Sequence, residues 1–167
     1  MRRAALAAFI FALAACATTP GALPSPRYAD AASRGTLASV LAGRPSADQV
    51  ADATEAWSLA LGDSFACGLP VRHVVDAGLV GALEVAAMNA AASRGGEREV
   101  REGVRQYLGQ LARLAVDRRD RPNARRCDAL AAWAPRTAEQ GRETVQRARR
   151  NGLMDDDYGI LLDLLTR

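Results

Sequence analysis

The sequence predicts an all-α protein, an irregular bundle of five to seven helices. Three observations carry that expectation. Apolar residues recur at intervals of three and four along most of the chain, and no convincing strand alternation interrupts them. Alanine, the best helix former, supplies 36 of the 167 residues. Glycine, proline and capping residues fall between the apolar stretches and punctuate them at helical lengths. The composition is globular, with 49% hydrophobic, 25% charged and 5% aromatic residues. All 22 basic groups are arginine, and lysine is absent. At this size the chain holds one domain, which excludes a large α/β enzyme.

The chain opens differently from its remainder. Met1-Arg2-Arg3 is basic, and residues 4–15 carry no charge. A basic head followed by twelve apolar residues has the form of an export signal. A membrane-spanning helix needs about 20 apolar residues, and Thr18, Thr19 and Pro20 arrive too early for one. Leu13-Ala14-Ala15-Cys16 resembles a bacterial lipobox. Small Ala14 and Ala15 let an extended backbone enter a peptidase, and the Cys16 thiol is a nucleophile for thioether formation. The resemblance implies cleavage before Cys16 and acylation of that residue, which holds the product on a lipid bilayer. It also implies sorting to the outer membrane, facing the periplasm, because Ala17 rather than aspartate follows the cysteine. Ordinary secretion with a cut after Ala15 or Ala17 is the competing reading.

Loss of residues 1–15 removes two arginines and no acid, so the formal charge falls from +3 to +1. The basic pI of about 9.1 then gives no general case for nucleic acid. Residues 16–29 contain three prolines and a glycine among small residues and read as a lipidated cysteine plus linker. The helical domain is expected over residues 30–167.

Within it, residues 30–42 form a short first helix ended by Gly43 and Pro45. Ser46 and Gln49 have capping-box spacing and start a second helix with a stripe of Val50, Ala53, Trp57, Ala60 and Leu61. Gly68 and Pro70 close it. Residues 71–94 come next. Gly78 and Gly81 mark either a bend or a close helix contact, and a break between 71–76 and 79–93 is the preferred reading. Residues 97–119 give the clearest amphipathic pattern, with Val100, Val104, Leu108 and Leu111 on one face. Glu97–Arg101 and Arg98–Glu102 face one another on its outside. Asn123 caps a further helix that Pro135 breaks or kinks. Residues 137–150 are thinly apolar and rest on the core, and Asn151-Gly152 stops them. A last helix is expected over 156–165, with Asp155, Asp156 and Asp157 at its start.

An exported chain meets an oxidising compartment, so the pair left after Cys16, Cys67 and Cys127, is expected to form a disulfide. Cys67 ends one helix and Cys127 begins another, which favours antiparallel packing of 47–67 and 124–134.

No catalytic, cofactor or metal constellation emerges. His73 is the sole histidine, and no Cys-x-x-Cys occurs. Asp155 does not begin a calcium loop, since the twelfth position holds Thr166 in place of glutamate. Asp63, Asp76, Glu84 and Asp128 lie near apolar segments without a spacing that pairs them. Arg118, Arg119, Arg121, Arg125 and Arg126 form a basic cluster, read as candidate contacts for anionic lipid or peptidoglycan or as a solvated corner. The expected partner surface is an apolar groove with an arginine rim, suited to an envelope protein or amphipathic peptide. In general plan, over residues 16–134, the chain resembles pilotins, small helical lipoproteins that pilot secretin subunits to the outer membrane; the C-terminal helices depart from that plan. The resemblance implies a non-enzymatic binding or assembly factor. Two alternatives stand beside it, a periplasm-facing enzyme acting on envelope material and a peptidoglycan-contacting structural lipoprotein.

Overall fold

The structure is a computed structural model that describes residues 22–37, 43–117, 122–155, 159 and 161–163. Its described part is all helical: α1 (Tyr28–Ser33), α2 (Ala47–Ala66), α3 (Val71–Ala92), α4 (Glu97–Asp117) and α5 (Ala124–Arg150). A sixth helical stretch includes residues 161–163. The lipobox with Cys16, and Arg118, Arg119 and Arg121, lie outside the described residues.

Helix α3 is the axis of the bundle and packs against α1, α2, α4 and α5. It is long and apolar enough to cross a membrane, yet 83% of its apolar window is buried inside the body, as befits a core helix. It is also unbroken, contrary to the expected interruption near residue 78. The glycines there serve the other reading, close contact. A Cβ on Gly78 would sit 2.7 Å from Leu161 Cδ2, and one on Gly81 would sit 2.6 Å from the Trp57 ring. The helix propensity lost at each, about 1 kcal/mol, is offset by burial of a leucine and a tryptophan face.

Helix α2 begins with the predicted capping box, Ser46 and Gln49 each accepting a backbone amide of the other. It ends at Gly68, whose φ of +72° belongs to the left-handed region that glycine occupies without strain. Gly62 brings α2 hard against α4, because a Cβ there would lie 2.6 Å from the Ala115 carbonyl oxygen. Helix α4 starts under a cap of its own: Glu99 accepts the Gly96 amide at 2.7 Å. That amide, Glu99's own amide and Arg98 hold the carboxyl at a pKa of about 2. Arg98 pairs with Glu99 and Glu102, whereas Arg101 turns away from Glu97 to donate to the Gly152 carbonyl.

Helix α5 begins at the predicted cap, where Asn123 Oδ1 accepts the Arg126 amide at 2.9 Å. It then continues through Pro135 to Arg150, so of the two expected outcomes, a break or a kink, the break does not occur. Proline removes one amide and crowds the preceding turn. The amide that Pro135 lacks would have met the Ala131 carbonyl; at the next carbonyl, that of Ala132, Arg136 Nε adds a side-chain bond at 2.7 Å. Packing also holds the helix through this point, since Trp133, Ala134, Thr137 and Ala138 are all buried.

Cys67 and Cys127 are bonded, with Cα atoms 5.5 Å apart. Asp63 pairs with Arg126, and Trp57 meets Trp133 at a centroid separation of 5.7 Å. Cys67 at the end of α2 meets Cys127 at the start of α5, and Trp57, earlier in α2, meets Trp133, later in α5, so the two helices are antiparallel, as their cysteines favoured. Past α5, Gly152 turns the chain at φ +66°, so that Leu153 and Met154 enter the core. Asp155 pairs with Arg105 of α4; Asp156 and Asp157 are outside the described residues.

The N-terminal region differs most from expectation. Helix α1 is only six residues long and stops at Gly35. Residues 23–29, expected within the linker, are packed onto the body. Leu23 and Tyr28 lie against the core and Ala29 is fully buried.

Candidate functional site

Two features of the described surface carry chemistry: a strap and a groove. The strap is the segment 22–30. Trp133 Nε1 donates to the Pro24 carbonyl at 2.8 Å, and the Ala29 amide donates to Glu84 Oε2 at 2.6 Å. The Arg27 and Tyr28 amides also point to the Glu84 carboxyl. A core carboxylate thus supplies α1 with the N-terminal acceptor that its own sequence lacks. Burial pushes the Glu84 pKa up, and the three amides and the Arg27 guanidinium oppose that shift. Asp30 then reaches α5, with Oδ1 at 3.4 Å from Thr144 Oγ1 and 3.6 Å from Arg147.

The groove lies between α3 and α5 and encloses about 220 Å³. Beside it Gly141 lets α5 close on α3, because a Cβ at that position would overlap the Val80 side chain. Leu79, Val80 and Val145 are buried and form an aliphatic floor. Arg72, Arg142 and Arg149 stand around it. Its one lining carboxylate, Asp76, lies 3.9 Å from Arg72 on the same helix. The excess of positive charge over an apolar base suits an anionic, amphipathic ligand. A broader depression of about 350 Å³ runs between α2 and α4, lined by Val50, Thr54, Tyr107 and Leu114. Burial raises the Tyr107 pKa there.

The sequence-level candidates separate in space and role. Of the basic cluster, Arg125 is exposed, but Arg126 is half-buried and bonds Asp63 at 2.9 Å. That pair stitches α5 to α2. Asp63 is taken up by Arg126, Asp76 faces Arg72 and Glu84 caps α1; Asp128 is exposed. His73 sits in the first turn of α3, its amide donating to the Pro70 carbonyl. Among the described residues, no three His, Cys, Asp or Glu side chains come together as a metal site.

Sequence reasoning placed Glu84 among the unpaired acids without finding its role, and did not find the Trp133 indole donor or the groove arginines Arg142 and Arg149. Glu84 had a readable signal, as the single charged residue between Ala77 and Ala92. An isolated acid in a core helix must find donors, and here they come from the incoming chain. The groove arginines had no such signal, because they are ordinary members of an arginine-rich helix.

Comparison with protein-family models, curated proteins and solved structures yields no match for this chain.

Proposed function

We propose that the protein is a bacterial envelope lipoprotein, anchored through acylated Cys16 in the outer membrane and facing the periplasm. There it acts as a binding or assembly factor for an outer-membrane or secretion component, in the manner of a pilotin or chaperone. The observation that carries the reading is the α3–α5 groove, with an aliphatic floor and an arginine rim. A partner helix with flanking acids fits that rim: its carboxylates meet the guanidinium groups of Arg72, Arg142 and Arg149, over a floor that Leu79, Val80 and Val145 keep aliphatic. A hydrolytic site for envelope material would instead call for two converging acids or an acid with His73. The groove lining has one carboxylate, and it faces an arginine.

The test is a photo-crosslinking residue at Gln146 in the acylated protein, activated in intact envelopes. Gln146 is exposed and lines the groove. One outer-membrane assembly subunit should be crosslinked, and Arg142→Glu should abolish the product. Crosslinks to glycan alone, or a product indifferent to Arg142→Glu, would contradict the reading.

A further inference from the structure

The strap fixes which end of the bundle meets the bilayer. Asp30 lies beside Thr144 and Arg147 of α5, while Pro24 lies beside Trp133. Followed backwards toward the N-terminus, the chain therefore runs down α5 toward that helix's own beginning. Ala22, the first described residue, is exposed. Five residues lie between it and Cys16, and the six steps from one Cα to the other span at most about 22 Å. The lipid must enter the membrane within that distance of the point where the strap leaves the body.

The beginning of α5 is also the end of the bundle that carries the Cys67–Cys127 bond. Only Gly68, Leu69 and Pro70 separate Cys67 from α3, so the first turn of α3 stands there too. Val71, in that turn, is the exposed large hydrophobic residue of the described surface, at 37%. Arg72 follows it with a side chain 76% exposed, and Arg125 is exposed across the disulfide on the first turn of α5. An exposed apolar side chain followed by an exposed arginine, with Arg125 and Asp128 exposed on the facing start of α5, stands at the end where a lipid tether leaves. Val71 with the two arginines matches the chemistry of an anionic membrane interface. We infer that the Cys67–Cys127 end of the bundle rests on the bilayer, with Val71 toward the interface and Arg72 and Arg125 toward anionic headgroups. This rests on the acylation of Cys16 proposed above, and adds to it a fixed orientation of the body.

The absence of lysine makes the test clean, since an introduced lysine becomes a unique amine-labelling site on a side chain. Ala129→Lys and Arg150→Lys place labels on exposed positions of α5 about 32 Å apart along the helix. Each acylated, fluorophore-labelled protein is bound to vesicles of phosphatidylethanolamine and phosphatidylglycerol, 3:1 by design, doped with a headgroup-nitroxide lipid that quenches on contact. Labelled wild type serves as the blank for any terminal amine. Quenching at position 129 should exceed that at position 150 several-fold. Adding Arg125→Glu should reduce it in these vesicles and leave it unchanged in phosphatidylcholine. Equal or reversed quenching overturns the orientation, and indifference to Arg125→Glu overturns the headgroup contact. Intact mass of the same samples reads acylation separately, so its loss refutes the anchor, whereas acylated protein with reversed quenching refutes the orientation alone.

Discussion

The same substitution, glycine to alanine inside a helix, should have opposite signs at two positions of this bundle. In a helix interior alanine is favoured over glycine by about 1 kcal/mol. Gly109 is in the middle of α4 with nothing within 4 Å of an added Cβ. Gly109→Ala should therefore collect that full gain and raise Tm by about 2–4 °C for a chain of this size. At Gly62 the added Cβ would lie 2.6 Å from the Ala115 oxygen and 3.3 Å from its Cα and carbonyl carbon. Comfortable contact begins near 3.5 Å, so α2 and α4 must part by about 0.9 Å. The obstacle is backbone within a helix, which no rotamer change can move aside. Overpacking of this kind costs about 1–3 kcal/mol, and subtraction of the propensity gain leaves a net loss of about 1–2 kcal/mol at the upper part of that range. Thermal unfolding followed by far-ultraviolet circular dichroism, with the disulfide intact, gives both shifts. A stabilised Gly62→Ala, or shifts of the same sign in both variants, would refute the claim that close backbone contact sets the α2–α4 distance.

Other consequences follow from the bond, the strap and the buried acid. Replacement of both Cys67 and Cys127 by serine should cost about 4 kcal/mol from the larger freedom of the unfolded chain, measured by urea unfolding against the oxidised protein. Glu84 has a raised folded pKa, so the folded state holds its proton more tightly than the unfolded state does. Its contribution to stability is present below the unfolded value of 4.5 and is lost as pH rises through the folded pKa. Glu84→Gln should flatten that decline in a series of denaturant midpoints taken upward from pH 4, and an unchanged slope would exclude Glu84 as its source. Trp133→Phe removes the indole donor to Pro24 while keeping an aromatic ring against Trp57. Trypsin should then cut after Arg27 several-fold faster, read by mass spectrometry of the released N-terminal fragment, while the lost bond and the space left by the smaller ring lower global stability by about 2–3 kcal/mol.

Where local chemistry decided the outcome, the sequence was easy to read. The Ser46–Gln49 box, the Asn123 cap and the stops at Gly68 and Gly152 involve groups a few residues apart, and they stand where pattern placed them. The cysteine pairing and the antiparallel arrangement of α2 and α5 followed because a covalent bond admits few geometries. The failures share another cause, a distant partner. Gly78 and Gly81 looked like breaks because glycine disfavours helix, but Leu161 and Trp57 fill the space beside them. Pro135 looked like a break or a kink because its effect on the ladder is local, and buried neighbours on both sides carry α5 through it unbroken. Residues 23–29 looked like spacer from their prolines, although those prolines also suit an extended strap laid on a helix. The groove was expected in kind but not in place. Its charge comes from arginines on α3 and α5 that only the crossing at Gly141 brings together.

The role proposed for this body depends on its anchorage. Intact-mass and N-terminal analysis of the protein purified from bacterial envelopes tests that most directly. The account predicts a chain that starts at Cys16 and carries the added mass of a diacylglyceryl group there. A chain that retains residues 1–15 with an unmodified Cys16 thiol would contradict it.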